Sequence, residues 1–399
     1  MTPRAPSGRT ALGAVLLFTL LGSATGCGGS SKPPARKAGR PLAPHAVAAP
    51  PAPAAAPAGV PPAVAALATR LPLERQVAQL FLVGFPGTAA KAPGVAALGR
   101  RDWGGVVIER PNYVNPPQLG GLVRAIGARA RGAPRLPRLV VADQHGGPGT
   151  ALPGQPPVAE PPLGARGASA TGAARTEAVR AGRGLRRLGV RMTLAPGADV
   201  DVTAGALSAL TFSSDAGIVA RLTAAQVAGY AEARMLSAPG HFPGQGAANQ
   251  DPDLGTASVG LGLGDLRARD ELPFTAVART APAIVMSNAL YAAFDGVTPA
   301  ALLPDAVREL RGHAGFRGVV LSDDLEATLQ PTGGTVGDAA VQALLAGDDE
   351  LYVSGDAGEQ DRAYAAVLTA ARSGKLPRAR LLEALDRVLA LKARAGLLP

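Results

Sequence analysis

Carboxylates, amides and imidazoles recur in this chain directly after short apolar runs. Asp143-Gln144-His145-Gly146-Gly147 follows the run 139–142, Asp199-Val200-Asp201 comes shortly after 190–194, and His241-Phe242-Pro243-Gly244-Gln245-Gly246 follows 235–237. Ser287-Asn288 ends a fourth group and Ser322-Asp323-Asp324 a fifth. Side chains of these types, converging from separate strand ends, suit a polyol. Two carboxyl groups flanking a glycosidic bond can act as nucleophile and as acid/base. A carboxylic acid donates near neutral pH only when burial or a like charge raises its pKa.

The elements that must position these groups follow from periodicity. Eight short apolar runs occur at 79–84, 105–108, 139–142, 190–194, 235–237, 283–287, 318–322 and 350–354. Helix-spaced stretches lie between them, at 117–131, 171–188, 218–234, 304–312 and 337–346, with another at 376–395. Such alternation predicts an α/β fold with a parallel sheet, and eight repeats predict a single (β/α)8 barrel of TIM type; a doubly wound open sheet is the other arrangement that alternation allows. In a barrel every polar cluster above falls at the C-terminal mouth, where barrel active sites form.

With 399 residues, 47% hydrophobic, the chain has room for one large barrel and appendages. Its single cysteine excludes an intrachain disulfide and a cysteine-based metal site. The net charge of +10 is misleading, because six basic residues and no acid lie within 1–66, leaving +4 for the rest. No basic run with interleaved aromatics occurs there, so nucleic acid is not an expected partner. The four histidines, at 45, 145, 241 and 313, show no paired ligand spacing, and no glycine-rich phosphate loop joins a strand to a helix. Neither a metal nor a cofactor is expected. The lack of a long apolar surface stripe favours a monomer.

The N-terminus reads as a targeting segment. Arg4 and Arg9 precede the apolar run 11–21, and Ala24-Thr25-Gly26-Cys27 resembles the bacterial lipobox, whose cysteine carries the lipid. The expectation is a lipoprotein signal over 1–26, lipidation at Cys27, a disordered Pro/Ala-rich linker over 27–66 and a folded domain over 67–399. The protein would then sit outside the cytoplasm, secreted and tethered to the membrane.

The motifs resemble the N-terminal barrel domain of glycoside hydrolase family 3, in the branch of bacterial β-N-acetylhexosaminidases. They include 79–85, Gly104-Gly105-Val106-Val107-Ile108, Asp143-Gln144 with Gly146-Gly147, Leu194-Ala195-Pro196 with Asp199-Val200, His241-Phe242-Pro243-Gly244, Asp270-Glu271-Leu272-Pro273-Phe274 and 315–325. The resemblance implies a retaining glycosidase of β-N-acetylhexosaminidase or β-glucosidase type, with Asp323 as nucleophile. It also implies that Asp143, His241 and Asn288 contact the sugar. This chain departs from the family's pattern at Gly240 for lysine, Gln245 for histidine, Leu210-Thr211-Phe212 for Arg-Ser-Phe, and His145 and Pro148 for glutamate and arginine. Asn288 likewise replaces a histidine. The stretch 246–253 that corresponds to the family's acid/base loop has no histidine, so the resemblance leaves Asp251 and Asp253 as candidate proton donors, each able to raise the other's pKa by a small amount on a solvated loop. Three roles remain open: a glycosidase acting on envelope or extracellular glycans, a catalytically silent glycan-binding protein on the same barrel, or a structural lipoprotein.

Overall fold

The computed structural model describes residues 60–127, 135–147, 149–202 and 205–398. The signal segment, Cys27 and nearly all of the expected linker lie outside the described residues. Helix α1 (Pro62–Arg70) begins inside the stretch expected to be linker, with Val64 and Ala68 buried, so folded structure starts ahead of residue 67. Among the described residues no helix is long and apolar enough to cross a membrane.

Eight parallel strands form the barrel, one from each of the eight apolar runs. They are β1 (Phe81–Val83), β2 (Gly105–Ile108), β3 (Leu139–Ala142), β4 (Met192–Thr193), β5 (Leu236–Ser237), β6 (Ala283–Val285), β7 (Val319–Asp324) and β8 (Glu350–Val353). The ladder runs β5-β4-β3-β2-β1-β8-β7-β6. Its two end strands are joined by the irregular segment after β5. Val285 N donates to Pro239 O (2.9 Å), Phe242 N to Val285 O (2.8 Å) and Ser287 N to Phe242 O (2.8 Å). These bonds close the barrel and exclude the open doubly wound sheet.

Alternating strand residues fill the interior. Leu82, Val107, Leu139, Val141, Met192, Val285, Val319 and Leu321 form one cluster, and the C-terminal helix plugs its lower end with Leu391 and Ala395. The opposite strand faces pack on the helices. Helices α2 (Leu73–Ala78), α3 (Pro116–Gly127), α4 (Thr171–Arg187), α5 (Ala216–Glu232), α6 (Leu272–Val277), α7 (Pro304–Gly312), α8 (Val336–Ala346) and α9 (Ala357–Ser373) precede the C-terminal α10 (Arg378–Arg394). Helices α4 and α5 pack closely through small residues; a Cβ on Gly229 would stand 2.4 Å from the Arg175 carbonyl oxygen. The expected helices are present within a few residues, whereas α1, α2, α6 and α9 are further helices that periodicity did not single out. Asp356 caps α9, accepting from Gly358 N and Glu359 N.

Candidate active site

The strand ends open on a cavity of about 610 Å³ lined by Asp143, His145, His241, Asp251, Asp253 and Asp323, among others. Asp323 reaches it through a local irregularity. Between β7 and β8, Leu321 pairs with Glu350 and Asp324 with Tyr352, so β7 carries one extra residue there. The Ser322 hydroxyl accepts from Tyr352 N at 2.9 Å, supplying a partner where the ladder shifts. A bulge of this kind re-aims side chains at the end of a strand. Asp324 does structural work: it accepts from Glu326 N at 3.2 Å to cap the next turn, and from Ser354 N at 3.1 Å.

Two carboxylate–imidazole–carboxylate rows face the cavity. In the first, His241 Nδ1 lies 2.9 Å from Asp199 Oδ2 and its Nε2 lies 3.8 Å from Asp323 Oδ2. Asp199 is held in turn by Gln245 N at 2.7 Å. Burial opposes charge on His241, yet Asp199 and Asp323 outweigh it and raise its pKa to about 9. The second row places His145 Nε2 3.1 Å from Asp143 Oδ1, with His145 Nδ1 3.6 Å from Glu160 Oε1. Glu160 Oε1 also accepts from Gly197 N at 2.8 Å. Burial again works against the charge on His145, and the two carboxylates again push its pKa well up. Asp199, Glu160 and the pairing of His145 were not among the site residues expected from sequence; the signal available was the Asp199-Val200-Asp201 cluster after the fourth run.

The two proton-donor candidates separate. Asp251 Oδ1 accepts from Asp253 N at 3.0 Å and caps the turn Pro252–Leu254. Asp253 lines the same cavity and is solvent-accessible, yet its pKa is pushed up to about 7, first by the charge on Asp323, then by burial and by Asp251. The small shift expected from the Asp251–Asp253 pair alone is therefore exceeded, because the nucleophile candidate is the larger influence. The loop is also pinned: Asn249 N donates to Ser258 O at 3.1 Å, and Ser258 N to Asn249 Oδ1 at 2.8 Å. Asp323 itself is raised by burial, and the His241 charge works against that shift.

Asn288 lies elsewhere than expected. It is 2% exposed, does not line the cavity, and donates from Nδ2 to Asp324 O at 2.7 Å. It braces the strand end behind the site, outside the residues that line the cavity. Gln245, in the position where the resemblance has histidine, accepts from the Ser287 hydroxyl at 2.7 Å.

Away from the mouth, the fold gathers Glu271, Glu309 and His313, a grouping that histidine spacing alone did not reveal. Their ligand atoms lie within 4.8 Å of one another, a spacing that could hold a metal ion. Arg267 pairs with both Glu309 oxygens, at 2.6 and 2.8 Å, and supplies the compensating charge.

A parallel barrel whose mouth carries paired carboxylates and imidazoles suits a glycoside hydrolase. The comparisons narrow this: residues 72–391 match the Glycosyl hydrolase family 3 N terminal domain, and the chain belongs to that family. It is 32% identical over 289 residues to a Beta-hexosaminidase of Stenotrophomonas maltophilia, covering 69% of this chain and 83% of the relative. It is 28% identical over 345 residues to an uncharacterized secreted glycosyl hydrolase of Arthroderma benhamiae, covering 83% and 96%. Among solved structures, a glycoside hydrolase family 3 β-N-acetylglucosaminidase from Paenibacillus superposes with a TM-score of 0.75 at 31% identity. That match covers 82% of this chain and 63% of the Paenibacillus chain. The protein is thus an O-glycosyl hydrolase by family.

Proposed function

We propose that the protein is a retaining glycosidase for β-linked hexosaminides, with Asp323 as nucleophile and Asp253 as acid/base. The observation that carries this reading is the coupling of the two carboxyls. Asp323 raises Asp253 to about 7, which keeps a proton on Asp253 near neutrality. In the first step an Asp323 oxygen attacks the anomeric carbon. The C–O bond to the leaving group breaks, and its electron pair takes the Asp253 proton. Asp323 is then an uncharged ester. The main force holding up the pKa of Asp253 disappears, so its carboxylate can accept a proton from the incoming water. Water displaces Asp323 from the anomeric carbon, releasing a β-configured sugar and restoring both groups. Asp199 positions His241, while Asp143 and His241 meet sugar hydroxyls. The hexosaminide preference draws on the names of the Stenotrophomonas and Paenibacillus proteins.

Mass spectrometry after incubation with 2-deoxy-2-fluoro glycosides bearing a good leaving group tests the nucleophile. An adduct on the wild type and none on Asp323→Ala is expected. No adduct on folded wild-type protein across gluco and galacto probes would overturn the reading and favour a silent glycan-binding barrel. The same proposal places the protein outside the cytoplasm, tethered through lipid on Cys27. Cys27→Ser should then release it from membranes into the medium; protein that stays bound would refute the tether.

A further inference from the structure

The charge of the cavity is lopsided. Besides Asp323, its wall carries the carboxyls of Glu109, Asp143, Asp251, Asp253, Asp324 and Glu326, and none of its described lining residues is lysine or arginine. Its two imidazoles offset only part of this set: His145 lies 3.1 Å from Asp143 and His241 3.8 Å from Asp323, and each imidazole also faces a second carboxylate from behind. Asp199 stands 2.9 Å from His241 and Glu160 3.6 Å from His145, and neither carboxylate lines the cavity. Arg110 lines only the adjoining depression of about 460 Å³, which shares Glu109 and Asp143 with the first.

The wall groups register one another's charge. Burial raises Glu109, with Asp324 and Asp143 adding to it and the Tyr352 hydroxyl opposing. Burial and Asp324 likewise raise Glu326, one of whose oxygens is buried without a hydrogen-bond partner. A neutral ligand leaves this repulsion in place, whereas a cation relieves it while gaining attraction from the carboxylates around it. The substituent at carbon 2 of a glycoside adjoins the anomeric carbon, so a substrate presented to Asp323 carries that substituent into the same acidic mouth.

From this arrangement we infer that the sugar bound in the cavity carries a free ammonium at carbon 2, so that the substrate class is a β-linked 2-amino-2-deoxyhexoside without the N-acetyl group. The inference rests on the glycosidase reading above and narrows it. An acetamide would meet the same wall as a neutral group, and discrimination arises from the difference between the two ligands.

The test compares 4-nitrophenyl β-D-glucosaminide with its N-acetylated counterpart at about pH 6, where the amine is protonated. The glucosaminide should be favoured about tenfold or more in kcat/KM, equivalent to about 1.4 kcal/mol. Added salt should shrink that ratio, and so should Glu109→Gln or Glu326→Gln. Equal or better hydrolysis of the N-acetyl substrate, abolished by Asp323→Asn, would overturn the inference and leave the glycosidase reading standing. If neither substrate is cleaved, calorimetric binding of glucosamine against N-acetylglucosamine decides. Tighter glucosamine binding upholds the inference without catalysis, and equal or weaker binding overturns it.

Discussion

Asp253 and Asp323 occupy one cavity, and the charge on Asp323 is the largest influence holding the Asp253 proton up to about pH 7. The sign follows directly. Below about 7 Asp253 is protonated and can donate; as the pH rises through that value the donor is lost. The alkaline limb of kcat/KM should therefore fall near pH 7. Asp253→Asn should lose about 10²–10⁴-fold on substrates with poor leaving groups and far less on activated aryl glycosides. An unshifted limb in Asp253→Asn would assign the donor to another group.

The same coupling predicts a spectroscopic effect. Removing the charge with Asp323→Asn takes away the largest influence on the elevated Asp253 pKa, so its titration should move down toward the ordinary aspartate range. Carboxyl-labelled NMR reads this directly; a titration still centred near 7 would show that burial dominates.

His241 depends on Asp199, 2.9 Å from its Nδ1. Asp199→Asn should lower the His241 pKa from about 9, since burial would then act against a weaker opposing charge. With the imidazole less firmly oriented, a fall in kcat on the order of 10²-fold is expected. Circular dichroism should remain that of the wild type. A normal rate would remove Asp199 from the positioning machinery.

Asn288 braces Asp324 O from outside the cavity. Asn288→Ala should cost stability of about 1–2 kcal/mol in urea unfolding, the range for a buried hydrogen bond left unmade. KM should change less than about threefold, against the larger change a direct sugar contact would give. A large rise in KM with unchanged stability would restore the sugar contact expected from the resemblance.

Beneath the barrel, Asp349 accepts from Arg311 (2.7 Å), Arg380 (2.9 Å), Arg387 (2.9 Å) and Val320 N (3.0 Å). Burial would raise its pKa, but the three arginines outweigh it and hold the value low. Because the folded value lies below the unfolded one, this stabilisation is present above about pH 4 and is lost as the pH falls through the folded value. Asp349→Asn should cost about 3–5 kcal/mol at pH 7, as the arginines lose their buried counter-charge. The deficit should narrow at low pH; a deficit independent of pH would point to packing.

Much of the fold is written in local pattern. Runs such as 105–108 and 139–142 are apolar throughout because barrel strands are covered on both faces, and the helix at 304–312 alternates its apolar residues with the turn. Helix α9 leaves little trace in the periodicity, and α1 starts ahead of the compositional boundary, because Ala-rich stretches carry a weak periodic signal. Asp323, Asp143 and His241 were legible as chemistry at strand ends. The choice between Asp251 and Asp253 was not, nor was the position of Asn288 behind the strand. Which carboxyl caps a turn and which faces another carboxyl depends on groups tens of residues apart.

Sequence alone determined that eight strands alternate with helices and that polar groups follow the strand ends, because side-chain periodicity acts over a few residues; closure of the barrel took the tertiary hydrogen bonds between Pro239, Phe242 and Val285. Only the tertiary structure decided the charge of the mouth, setting Asp199 behind His241, Glu160 behind His145 and Asp323 within range of Asp253. Electrostatic energies depend on distance through space and on burial, and closure of the barrel sets both.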